Sequence, residues 1–312
     1  MAQKKKVVGA SILSEQAAID AKSNTVGIVV QFARMGNTRK VKADKVTVDA
    51  DKKMIRVNMQ LFESEEYDAI LRHDGETYRW LEVRWLPSML RKGIGLMPKA
   101  LVKAVIEHLK KRQTERETLV DAFMVKYDAA IKEAKKLLRS LYNEKHYPAP
   151  ADARKRFSLR WNLLDFEASA KLGSVDQQIL IEERSKVDDV WKETAELVSQ
   201  LLRAELSELL GHAVERLTAK KDGKKKVIRD SVVTNIKEFI DMLPLRNVTN
   251  DAELKVFKTK IGKLLETCDP EMLRDDQAFR EKVQKDFAAV KKAIDKSISD
   301  RPVRMVLTSD EL

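Results

Sequence analysis

Hydrophobic and polar positions follow two different periods along this chain, first two and then three to four. Val26-Gly-Ile-Val-Val-Gln-Phe32 is dominated by β-branched residues and predicts a strand. From Thr38 the chain continues in extended style, with Val46 and Val48 set against polar neighbours. After the polar turn at 49–53, Ile55, Val57 and Met59 alternate in the same way. Two period-two runs joined by a short Asp/Lys turn predict a hairpin. Ser64-Glu-Glu-Tyr then opens a short helix with Ser64 near its N-cap, and Gly75 is expected to close it. Residues 77–85 fit strand or helix equally. Pro87, Gly93, Gly95 and Pro98 mark an irregular connection.

Beyond Pro98, itself suited to a first helical turn, the period lengthens. Leu101, Val105, Leu109, Leu119, Phe123, Tyr127, Ile131, Leu138 and Leu141 recur mostly at helical steps over 99–145. The charged stretch 110–118 interrupts that stripe, so the helix either stands free of the body there or turns. Tyr147-Pro-Ala-Pro stops the pattern. Phe157, Leu159, Trp161 and Leu163 then alternate against Ser158, Arg160 and Asn162, a strand that must find partners among the N-terminal strands. A second long amphipathic stretch covers 175–219, with Leu180, Val187, Trp191, Leu197, Leu202, Leu209, Val214 and Leu217 returning to one face. Further helices are expected at 228–243 (ending before Pro244), at 251–267, after the Asp269-Pro270 cap, and at about 275–299. The predicted fold is mainly α, with a small antiparallel β region at the N-terminal side followed by long amphipathic helices in a bundle or coiled-coil-like array. The expected domains are a basic flexible lead at 1–24 with one helical turn around Glu15–Ala21, a mixed α/β domain with one long helix at 25–170, and a helical domain at 171–312.

Composition supports the helical reading: 312 residues hold only 10 Gly and 7 Pro, so breakers are scarce. The basic start Met1-Ala-Gln-Lys-Lys-Lys is not followed by the apolar core of a signal peptide, and the apolar runs are too short to cross a bilayer. A single cysteine, Cys268, excludes an internal disulfide. These features predict a cytoplasmic protein. The terminal Ser309-Asp-Glu-Leu and the Asn247-Val-Thr glycosylation pattern then read as chance matches.

Charge changes the picture further. The net +11 is distributed as +7 over 1–60, +3 over 61–150, −3 over 151–219 and +4 over 220–312. Basic ends suit an anionic partner, and equally a protein kept soluble by its charge. The candidate phosphate contacts are Lys4, Lys5 and Lys6; Arg34, Arg39, Lys40 and Lys42; Arg154, Lys155, Arg156 and Arg160; and the loop cations Lys220, Lys221, Lys224, Lys225 and Lys226. Arg154-Lys-Arg-Phe-Ser-Leu-Arg-Trp interleaves cations with aromatics, as single-strand stacking requires. Its alternation puts Phe157 and Trp161 opposite Ser158 and Arg160, which favours a core role for the rings.

Catalytic chemistry is not signalled. No Gly-rich loop ends in Gly-Lys-Ser/Thr, and Gly93-Ile-Gly95 reads as a turn. His73, His108, His146 and His212 are too far apart in sequence for a metal pair on one helix face, and each is expected at a surface or a helix end. Cys268 precedes the Asp-Pro cap without a neighbouring histidine. No catalytic residue, metal ligand or cofactor is assigned, and the chain is expected to be non-enzymatic.

The segment from about Trp80 to Glu167 resembles the bacterial and phage family called domain of unknown function 3150. The resemblance rests on Trp85-Leu-Pro, Gly95-Leu-Met-Pro, the long helix, Phe123-Met-Val-Lys-Tyr and Arg156-Phe-Ser-Leu-Arg-Trp-Asn-Leu-Leu-Asp-Phe-Glu. It implies a protein of phages or mobile elements that works beside a MoxR-type AAA+ ATPase and a von Willebrand factor A-type protein. That family brings no catalytic residues to carry over. The resulting expectation is an interaction or assembly protein, an adaptor or substrate of such an ATPase, able to self-associate through its long helices. The alternative is a nucleic-acid-binding protein using the basic N-terminal region and the Lys-rich loop.

Overall fold

The β-branched run forms β1 (Thr25–Ala33) in a computed structural model that describes residues 15–42, 51–86, 93–218 and 231–298. β1 is the middle strand of a three-stranded sheet ordered β4-β1-β5. β4 (Gly95–Pro98) runs antiparallel to β1, with Thr25 opposite Pro98 and Ile28 opposite Gly95. Sequence reading treats this Gly- and Pro-bearing stretch as a connection, yet all four residues are buried. Gly95 is required here, because a Cβ would stand 2.8 Å from the Trp85 ring. β5 (Ser158–Leu164) returns to the sheet as its alternation predicts. β2 (Thr38–Val41) and β3 (Val57–Gln60) pair antiparallel, Thr38 opposite Gln60, giving the predicted hairpin its described arms. Val46, Val48 and Pro87 lie outside the described residues.

The helices depart from expectation in instructive places. Residues 15–24 form a helix (α1) with Ala18 and Ala21 buried, so this part of the expected flexible lead is packed. α2 (Glu65–Glu82) starts as predicted, the Ser64 side chain accepting from the Tyr67 N–H, but it does not stop at Gly75. A mid-helix glycine costs about 1 kcal/mol, and burial of Thr77 and Leu81 beyond it outweighs that. α3 (Lys99–Leu138) is continuous through its charged stretch. α4 (Pro150–Lys155) carries the first cations of the Arg-rich segment. α5 (Gln177–Leu217), capped by Asp176, is one unbroken helix. α6 (Ser231–Arg246) contains Pro244 instead of ending before it. The proline removes one donor within the last turn, and the Asn247 N–H restores a helical bond to the Leu243 carbonyl at 2.8 Å. α7 (Ala252–Glu266) is capped by Asp251, which accepts from the Glu253 and Leu254 N–H groups. α8 (Pro270–Asp275) follows the Asp269-Pro270 signal, and α9 (Gln277–Ser297) is capped by Asp276.

Contacts divide the chain into two units, each entered more than once. The first takes the described residues within Met1–Ile28, Arg84–Val102 and Leu163–Leu312. Its core is a helical array in which α5 packs on α9 and α6, and α7 and α8 close on α9. Leu202, Leu206, Leu210, Ile236, Phe287 and Ile294 are almost fully enclosed, each contributing about 1.5–3 kcal/mol by leaving water. Arg246 grips Glu205 with two hydrogen bonds of 2.7 and 3.1 Å.

The second unit takes Val29–Val83 and Lys103–Asn162. Its centre is aromatic: Phe62, Tyr67, Phe123, Tyr127 and Phe157 are buried, with Phe123 lying 5.3–5.8 Å from the other rings. The tyrosine hydroxyls find carbonyls at the edge of this core. Tyr67 donates to Met35, Tyr127 to Pro148 at 3.0 Å and Tyr147 to Leu61 at 2.6 Å. Each buried hydroxyl therefore ties down a piece of irregular chain.

Candidate functional site

The charged stretch that interrupts the α3 stripe is neither free-standing nor a turn. Arg112 and Arg116, one helical turn apart, meet the middle of α2, which presents His73, Asp74, Glu76 and Thr77. Arg116 holds Asp74 in a two-pronged pair: Nε donates to Oδ1 at 2.7 Å and Nη2 to Oδ2 at 3.1 Å. Nη2 also donates to the Ala33 carbonyl at the end of β1, at 2.8 Å. The side chains of Arg116 and Asp74 are only 3% and 4% exposed. Arg34 approaches Asp74 from β1's end at 3.8 Å.

Arg112 lies one turn earlier. Its Nε donates to the Thr77 hydroxyl at 2.7 Å and its Nη2 to the His73 carbonyl at 2.8 Å. The same guanidinium reaches Glu76 at 3.2 Å and Glu115 at 3.1 Å. His73 itself is buried in the middle of α2, where a surface or helix-end position is expected for it. Its Nε2 stands 3.5 Å from Glu115 and its Nδ1 3.8 Å from Asp74, both too long for a good hydrogen bond. Burial, and then the neighbouring Arg112 charge, lower the imidazole pKa against the opposing pull of Glu115 and Asp74. This network orients and clamps α2 on α3.

The sequence-derived cations fare unequally. Arg39 folds back on its own loop, donating to the Thr38 and Gly36 carbonyls at 2.7 and 3.3 Å. Lys40, Lys42 and Arg156 are exposed. Lys155 pairs with Asp152 at 3.0 Å within α4. Arg154 and Arg160 do converge. With the buried Arg116 and Gln113, Glu117 and Ser158 they line a cavity of about 100 Å³. Lys4, Lys5, Lys6, Lys220, Lys221, Lys224, Lys225 and Lys226 lie outside the described residues. Phe157 belongs to the aromatic core and cannot stack on a base, while Trp161 is half-buried.

Compared with known protein families, characterised proteins and solved structures, the chain matches none.

The first unit carries a larger depression, a groove of about 420 Å³ between α1 and the front of α5. Trp191 and Ala18 are buried along it, Ile19 and Ile181 remain more than half exposed, and Lys22 faces Asp188 at 3.7 Å. Over residues 177–189 of α5 only Leu180 is buried, and Val175 and Ile179 add further exposed apolar surface. Cys268 is buried, and burial raises its thiol pKa, the opposite of what an activated nucleophile needs. Among the described residues no three His, Cys, Asp or Glu side chains gather to hold a metal ion, and no helix is long and apolar enough to cross a membrane.

The buried network was missed in the sequence because each member looks like a solvated charge. The available signal was the break itself: an amphipathic helix whose stripe fails over 110–118 yet continues in register must bury something polar there. The pairs Arg112/Arg116 and His73/Thr77, each one helical turn apart, name the polar faces that meet.

Proposed function

We propose that this chain is a non-enzymatic interaction and assembly protein of phage or mobile-element type, acting in the cytoplasm as an adaptor or substrate of a MoxR-type AAA+ ATPase. A von Willebrand factor A-type protein is the second partner that the resemblance at residues 80–167 implies. The observation that carries the reading is the front of α5. A helix that stays regular while leaving Ile179 and Ile181 in water, beside a groove whose apolar side chains (Ala18, Ile19, Ile181 and Trp191) are rimmed by charged ones, is suited to receive a partner protein. The test mixes the purified full chain with the MoxR-type ATPase encoded nearest to it and measures complex mass and ATP turnover. A complex that Ile181→Glu and Ile19→Glu each weaken is expected. Absence of a complex, or one indifferent to both changes, refutes this role; self-association through the same face would appear as a mass increase without the ATPase.

A second reading is favoured by the charge of the second unit, where 25 Lys and Arg face 18 Asp and Glu. It is a nucleic-acid-binding protein whose phosphate contacts include Arg34, Lys40, Lys42, Arg156 and Arg160. Affinity for single- or double-stranded DNA or RNA should then fall steeply with salt, through counterion release. Flat or absent binding at low salt removes this reading.

A further inference from the structure

The cavity framed by α3, α4 and the start of β5 combines three arginines from three elements with two neutral polar side chains. Its volume of about 100 Å³ equals about three waters, which suits a single phosphoryl group and is too small for a nucleoside. Arg116 spends Nε and Nη2 on Asp74 and Ala33, and its Nη1 makes no hydrogen bond among the described residues although the residue is 2% exposed. Arg154 donates through Nε to Asp121 at 2.9 Å, which fixes its guanidinium plane and leaves its terminal nitrogens free. Arg160 has no ion-pair partner among the described residues, and the Ser158 hydroxyl likewise has no bonded partner there. Gln113 donates to the Leu159 carbonyl at 2.9 Å and so pins the strand that carries both Ser158 and Arg160.

We infer that this cavity is a binding site for one phosphate group, with the free nitrogens of Arg116, Arg154 and Arg160 as donors and the Ser158 hydroxyl as a fourth. Guanidinium planes fixed in advance lose little freedom on binding and match the geometry of phosphate oxygens. Asp74 and Asp121 each offset one guanidinium, so Arg160 is the cation of the lining that no carboxylate holds in a hydrogen bond among the described residues. Glu117, the carboxylate on the lining, is exposed and works against it. The site does not depend on the protein-docking role, and it meets the nucleic-acid role only if the phosphate terminates a strand.

Calorimetric titration of the full chain with inorganic phosphate at constant ionic strength is the test. Saturable binding is expected, weakened about tenfold by Arg160→Ala, the loss of one charge-assisted contact. Lys132→Ala removes the same charge from an exposed position of α3 that does not line the cavity, and leaves binding unchanged. Glu117→Gln tightens it, which a merely damaged fold would not do. No saturable binding, equal losses in Arg160→Ala and Lys132→Ala, or no tightening in Glu117→Gln overturns the inference. Competition separates the sources of phosphate. Displacement by a 5′-phosphorylated dinucleotide and not by its unphosphorylated counterpart supports the site and assigns it to strand ends. Failure of both to displace bound phosphate supports it as a site for the free anion. Loss of long DNA or RNA binding with phosphate binding intact would discard the nucleic-acid role alone.

Discussion

Replacing Asp74 by Ala strips the buried Arg116 of its carboxylate while leaving the guanidinium enclosed. Two hydrogen bonds of 2.7 and 3.1 Å disappear, and Arg116 retains only the Ala33 carbonyl as a partner. With both side chains under 5% exposed, water cannot substitute without opening the α2–α3 contact. Breaking one side of such a pair costs about 3–5 kcal/mol, a large share of the ~5–15 kcal/mol that a whole domain possesses. Because two units share the chain, a single unfolding transition is not a safe measure. Hydrogen exchange resolved to peptides of α2 and α3 reads the opening free energy of this contact directly. Asp74→Ala should accelerate exchange there and leave α5 and α9 unaffected. The double change Asp74→Leu with Arg116→Met, which removes both charges, should recover most of the loss. A loss below ~1 kcal/mol, the range of a solvent-exposed pair, would refute the reasoning. So would a double variant as damaged as the sum of its singles.

Three further outcomes follow from other parts of the molecule. Gly95→Ala would press a methyl group to 2.8 Å from the Trp85 ring; thermal unfolding should show a loss of about 1–3 kcal/mol, and an unchanged midpoint would deny that contact. Asp251 both caps α7 and holds Arg203 at 2.5 Å, so Asp251→Ala should cost more than the ~1 kcal/mol of a lost cap, with Asp251→Asn, which keeps the cap, losing less; equal losses in chemical denaturation would contradict this division. Burial pushes the Tyr127 hydroxyl up to about 12 and raises Tyr67 as well. The unfolded chain therefore releases those protons first, and stability is full below pH ~10 and declines as pH rises from ~10 towards 12. Tyrosinate absorbance followed with circular dichroism checks the sign, and a Tyr127→Phe variant should decline less.

Much of the fold was legible because burial and periodicity agree there. β1, β5 and the cap at Ser64 needed only local chemistry, and the mainly α class followed from scarce breakers. β4 was not legible. Its Gly95 and Pro98 signal a turn, and only the ring of Trp85 and pairing with β1 make a strand of it. Gly75 and Pro244 read as helix ends because local propensity says so, whereas Leu81 and Arg246, both buried beyond those positions, show tertiary packing overriding it. The candidate site was half visible. Arg154 and Arg160 were singled out by charge, but Arg116 was not, because nothing local distinguishes a guanidinium that will be enclosed from one that stays in water.

That enclosure has a kinetic side. Asp74 and Arg116 are 42 positions apart and Ala33 a further 41 from Asp74, so their meeting closes long loops. An ion pair also gains strength only after its surroundings have lost water. Such contacts belong late on the folding path, so the network should act as a latch. Removing Asp74 should hasten unfolding of the second unit far more than it slows refolding. The residues that most resemble surface decoration in the sequence would then set how long this unit stays closed.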